Sequence, residues 1–246
     1  MISFFPLHKI TIEDCEEFRK LTPAEKLCYW LLISEFNRRG EFYKSDLEIA
    51  VTLDLSEAKI RSARRKLGKL EFIKYDRGSI KGGRKLATTY QYVKWATPVD
   101  GYFFAQIHRF SFEAMLNYLR KGHYTHADVV VYVYLAYLFW KNRGAKEDQS
   151  FFVTKAKLQE LTNIPNIQQK IKNLYDKFLF GNGMHLFEYS DKYHKLAFSK
   201  WASFADPSEN ENSQRNAEAY INDIKAKVSA KKKAAETKTK ATVLMA

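Results

Sequence analysis

Residues 55–95 hold the densest set of side chains in this chain that can meet a polyanion. From Ala58 to Lys94 there are twelve Lys and Arg, against only Glu71 and Asp76. Ile60, Ala63, Leu67 and Leu70 recur at helical spacing and mark an inward stripe, which turns Lys59, Arg61, Ser62, Arg65, Lys66 and Lys69 outward. An α-helix fits the major groove of B-form DNA, where the planar fork of arginine matches O6 and N7 of guanine. Lys59, Arg61, Ser62 and Arg65 are therefore expected at base edges, and Lys66 and Lys69 at phosphates. The following loop, GSIKGGRK, adds Lys81, Arg84 and Lys85, with Arg77 at its base. Its Gly82-Gly83 pair allows a tight turn and a close backbone approach to a phosphate. The plain alternative is a solvated charged face, but such faces usually mix signs. Here one sign runs from the helix into the loop.

Those residues need elements to position them. Residues 1–21 read as an extended lead-in, FFPLHKI, followed by a short acidic helix over 12–18. Thr22, Pro23 and Glu25 give an N-cap, a first-turn proline and a capping-box partner for a helix that closes at Gly40. Phe42 and Tyr43 fit a brief strand. Ser45 and Glu48 form a second capping box, which opens a helix carrying Leu47, Ile49, Ala50 and Leu53. Asp54-Leu55 turns into Ser56, the N-cap of the basic helix. Strands over 72–77 and 88–95 then flank the glycine loop. Three helices and a hairpin in this order predict a winged helix-turn-helix over residues 22–97.

The plan is then expected to repeat over residues 102–204, after a linker punctuated by Pro98 and Gly101. A helix over 125–143 ends in Asn-Arg-Gly, as the first unit's helix ends in Asn-Arg-Arg-Gly. Its Tyr132, Tyr134, Tyr137, Phe139 and Trp140 read mainly as core. A strand over 151–153, helices over 154–161 and 165–178, and a final hairpin complete the match. The third helix here is polar and only mildly basic: Gln168, Gln169, Lys170, Lys172 and Asn173 are its candidate DNA contacts, with partner docking or dimerisation as the open alternative. Residues 205–246 read as an acidic linker and a Lys/Ala-rich, partly disordered tail. That tail either adds salt-sensitive DNA affinity or merely solubilises the chain. The expected fold class is α+β, mainly helical, with two tandem winged units.

The net charge of +13 favours nucleic acid as partner, with an anionic membrane second. The apolar run VVVYVYLAYLFW is too short to span a bilayer, no secretory signal is evident, and Cys15 and Cys28 are too few for a disulfide framework. A cytoplasmic protein is the expectation. Enzymatic constellations are missing from the sequence: it has no Gly-Lys-Ser/Thr phosphate loop, no H-E-x-x-H and no paired Cys/His spacing, and His123 and His126 lack an accompanying cluster. Neither catalysis nor a metal or other cofactor is expected.

The runs LTPAEKLCYWLLI (21–33), FYKSDLEIAVTLDLSEAKIRSARRKLGKLEFIKYDRG (42–78) and GGRKLATTYQYVKW (82–95) resemble the N-terminal winged helix of plasmid and phage replication initiators and replisome organisers. The resemblance covers about residues 20–95. Glu71-Phe72 departs from it, standing where such families commonly place a glycine. The resemblance implies a protein that binds repeated origin sites on double-stranded DNA and recruits host replication proteins; a homodimer is a separate expectation, from the second unit's open dimerisation alternative. A transcription repressor or a protein-docking adaptor are the alternatives.

Overall fold

The computed structural model describes residues 4–76, 80–81, 84–85, 87–142, 150–152, 154–177, 187–190 and 195–198, together with 226, 229 and 230. It is α+β and mainly helical, with small antiparallel sheets. Among the described residues no helix is long and apolar enough to cross a membrane. The C-terminal tail falls almost wholly outside the described residues.

The chain begins with β1 (Phe4–His8), α1 (Lys9–Ile12) and α2 (Glu16–Arg19). The single acidic helix expected over 12–18 is thus split. The break falls at Glu13, whose carboxylate accepts hydrogen bonds from the Tyr137 hydroxyl (2.7 Å) and Lys141 Nζ (2.6 Å). These bonds hold Glu13 below the ordinary carboxylate range against the opposing effect of burial. A tertiary contact from more than a hundred residues away therefore decides a local boundary.

Next comes α3 (Pro23–Arg39), opened by the expected capping box: Glu25 N–H donates to Thr22 Oγ1 (3.4 Å), and Thr22 N–H to Glu25 Oε2 (2.8 Å). It is followed by β2 (Phe42–Lys44), α4 (Asp46–Leu53), α5 (Glu57–Lys69), β3 (Ile73–Asp76), β4 (Ile80–Lys81), β5 (Arg84–Lys85) and β6 (Thr88–Val93). The strands order β2-β6-β3, and β4 and β5 form a separate two-stranded antiparallel ribbon.

The same order recurs in α7 (His126–Asn142), β8 (Ser150–Phe152), α8 (Lys155–Thr162), α9 (Ile167–Lys177), β9 (Phe187–Ser190) and β10 (Lys195–Phe198), with strands ordered β8-β10-β9. Thr125 and Asp128 cap α7 as Thr22 and Glu25 cap α3. Between the two series lie β7 (Phe104–His108) and α6 (Arg109–Arg120), which sequence patterning did not anticipate.

The two halves share one core. β1 pairs antiparallel with β7, Phe4 opposite His108 and His8 opposite Phe104, so the register is symmetric about Pro6 and Gln106. α3 packs on α7, and both are buried around their full circumference over 26–34 and 129–139. A helix apolar all round must be covered on every side. Each of these is covered by its own unit and by the other. Trp30 meets Tyr134 edge-on at 5.8 Å in the middle of the contact, and Tyr132, Tyr137 and Phe139 are buried as expected. The lead-in belongs to this core too, through Phe5, Leu7, Ile12 and Phe18.

Polar groups also cross between the halves. Arg109 Nη2 donates to Ser34 O (2.7 Å), and Glu113 shares the neighbourhood of Arg109 with Glu35, Arg38 and Lys44. Burial pushes the Glu113 carboxyl up to about 7; Arg109, Arg38 and Lys44 oppose the shift and Glu35 adds to it. The folded chain therefore holds a proton that the unfolded chain releases above about 4.5. That stability is complete below 4.5 and is lost as pH rises through 7. Glu113→Gln should melt several degrees above wild type at pH 8, and the gap should vanish at pH 4.5, as measured by thermal unfolding across that range.

Candidate nucleic-acid interface

α5 begins where Ser56 Oγ accepts the Lys59 N–H (3.3 Å). Ile60, Ala63 and Leu67 are buried against the rest of the unit, while Leu70 is half-buried at the core edge. Lys59, Ser62, Arg65, Lys66 and Lys69 are exposed and Arg61 half-exposed. The six expected residues thus share one outer face. Arg61 leans back on Glu57 (3.5 Å) and toward Asp46 (3.9 Å), and Lys66 reaches Glu25 at 2.9 Å. An exposed pair such as Arg61–Glu57 contributes roughly 0–1 kcal/mol and yields readily to a phosphate. Among the described residues, no carboxylate lies within ion-pair distance of Lys59, Arg65 or Lys69.

The hairpin of β4 and β5 sets Lys81 opposite Arg84 and Ile80 opposite Lys85, with Gly82-Gly83 between them. Arg77 lies outside the described residues. β3, which precedes this ribbon in the chain, packs against α5.

One arginine of α5 does different work. Arg64 falls in the inward stripe, four residues after Ile60, and is buried. Its guanidinium makes a two-pronged pair with the Asp46 carboxylate, donates to Thr88 Oγ1 (3.0 Å) and lies 5.1 Å from the centre of the Tyr75 ring. It therefore joins α4, α5, β3 and β6, the parts that set a basic helix against its hairpin. Gly68 belongs to this arrangement, since a Cβ there would stand 3.0 Å from Tyr75 Cε1. Sequence reasoning missed the clamp, although the 60, 63, 64, 67 spacing contained the signal.

The departure at Glu71 has a backbone meaning. The end of α5 is a Schellman turn: Phe72 N–H donates to Leu67 O (2.9 Å) and Glu71 N–H to Gly68 O (3.0 Å). Glu71 takes the left-handed position at φ 59°, where α6 uses Gly122 at φ 75° for the same pair of bonds. Glutamate there is strained. Glu71→Gly should raise the midpoint of chemical unfolding, a gain of up to about 1 kcal/mol.

On the second unit's third helix, Gln168, Gln169 and Lys172 are exposed, and Lys170 and Asn173 half-buried. Gln169 donates to Asn173 Oδ1 (2.9 Å), and Lys170 is drawn to Thr125 Oγ1 (3.3 Å) and Asp128 (3.5 Å) at the start of α7. Gln169, Lys170 and Asn173 on this face are bonded within the protein, whereas on the α5 face Arg61 and Lys66 make ion pairs and, among the described residues, Lys59, Arg65 and Lys69 make none.

Chemically, the α5 face and its hairpin can neutralise a row of phosphates and present guanidinium forks in a groove. Among the described residues no group of His, Cys, Asp and Glu is arranged to hold a metal ion. Comparison with protein-family models, with curated proteins and with solved structures finds no match to this chain.

Proposed function

We propose that this chain is a sequence-specific, double-stranded DNA-binding protein of two tandem winged-helix units, acting in the cytoplasm as the replication initiator of a plasmid, phage or related mobile element. The observation that carries the reading is the outer face of α5: an amphipathic helix whose exposed side is basic, followed in the chain by a ribbon that pairs Lys81 with Arg84. α5 enters the major groove, with Lys59, Arg61, Ser62 and Arg65 toward base edges and Lys66 and Lys69 on phosphates. The hairpin, with Lys81, Arg84 and Lys85, lies along the adjacent backbone or minor groove. The second unit assists, its α9 being less charged. The protein acts by binding rather than by catalysis, and host replication proteins are the partners the role requires.

Footprinting on the DNA that surrounds the chain's own gene tests this. Several directly repeated protected sites, on a fragment that replicates autonomously when the chain is supplied, are the expected result. One palindrome overlapping a promoter overturns the initiator role in favour of a repressor. No protection at all removes the DNA reading and leaves a protein-docking adaptor.

A further inference from the structure

Leu53 and Thr162 close α4 and α8, the second helices of the two units. Each is followed by a non-glycine residue in the left-handed region, Asp54 at φ 51° and Asn163 at φ 55°, before the turn into the third helix. Their carbonyls belong to the last turn, where a helix has no partner of its own to offer. Both are met by a nitrogen from the first helix of the opposite unit. His126 Nε2 on α7 donates to Leu53 O at 2.7 Å. Lys26 Nζ on α3 donates to Thr162 O at 2.6 Å.

The exchange is reciprocal in its targets, although the donors sit at different places on their helices. Lys26 is fully buried, bonds a second carbonyl at Arg19 O (3.0 Å), and lies 5.5 Å from the centre of the Tyr134 ring. Arg19 and Glu160 form an ion pair at 3.6 Å across the same junction. Burial depresses the Lys26 ammonium to about 8. A methionine stem would fill the space without that desolvation, so net stability is a poor explanation for a lysine here. Fixing the geometry of the turn is a better one.

We propose that Lys26 and His126 are positioning residues of a reciprocal clasp, each holding the turn that sets the third helix of the opposite unit. The setting of α5 then depends on a side chain in the second unit, and that of α9 on one in the first. Only the consequence for DNA affinity rests on the function proposed above.

The test is hydrogen exchange on the full chain, paired with duplex binding. His126→Ala should speed exchange in the α4–α5 turn about tenfold and leave the α8–α9 turn unchanged. It should weaken duplex binding about fivefold to tenfold with an unchanged salt slope, since no phosphate contact is lost. His126→Gln, whose amide can donate to the same carbonyl, should restore both. Lys26→Met should give the mirror pattern, faster exchange in the α8–α9 turn alone. Faster exchange confined to the substituted residue's own unit, an even rise across both units, or no change in either turn overturns the clasp. If no duplex binds even to wild type, the exchange pattern still decides the clasp, and the DNA reading alone fails.

Discussion

Replacing Arg61 and Arg65 together with alanine should lower affinity for the target duplex by on the order of a thousandfold at fixed salt, with thermal unfolding shifted by no more than about 2 °C. The size follows from the geometry of groove recognition, where each bidentate guanidinium–guanine pair is worth about 1–3 kcal/mol of discrimination. The small stability cost follows from exposure. Arg65 is exposed, and Arg61 is half-exposed, with a surface pair to Glu57 at 3.5 Å and a long 3.9 Å approach to Asp46, whose main partner is Arg64. Equilibrium anisotropy on a labelled duplex, beside a melting curve for each variant, checks both halves. A variant that binds like wild type would remove α5 from the interface.

The next residue inward should give the opposite phenotype. Arg64→Ala should destabilise the fold by about 3–5 kcal/mol, because it leaves the Asp46 carboxylate buried without its partner. For a chain of this length that corresponds to a melting temperature lower by about 10 °C. Arg64→Met combined with Asp46→Leu should recover most of that loss, since apolar replacement of a whole buried pair is often neutral or better. The double variant should still bind duplex more weakly than wild type, because Thr88 and Tyr75 lose the group that sets α5 against the strands. Two adjacent arginines would then separate cleanly, Arg64 in unfolding and Arg65 in binding. A single Arg64→Ala variant with an unchanged melting point would refute the clamp.

Much of the fold was legible because its signals are local. Thr22-Pro23-Glu25, Ser45-Glu48 and Ser56 each form the expected cap, and the stripe from Ile60 to Leu67 sets the face of α5. The recurring order of elements was legible in the same way, from caps and turns. What patterning could not reach was long-range. The break at Glu13 depends on Tyr137 and Lys141, and β1 forms only because β7 pairs with it. The two strands echo each other, Phe4 to His8 followed by Lys9 and Phe104 to His108 followed by Arg109. Five residues of that kind carry little periodicity, and their partnership shows only once they are paired. At the candidate site, the exposed face of α5 could be derived from spacing, whereas Arg64 was hidden by its own charge. A cation at an inward position finds no place in an apolar stripe or among the outward cations until Asp46, eighteen positions earlier, is brought beside it.

The most direct test of duplex binding by α5 and its hairpin is the salt dependence of wild-type affinity. Neutralising roughly six phosphates releases enough counterions to weaken binding about a thousandfold between 50 and 200 mM monovalent salt. Fluorescence anisotropy on a duplex carrying the footprinted site should therefore give a log–log slope of about −5. A slope near zero, or no duplex binding at 50 mM, would contradict the assignment.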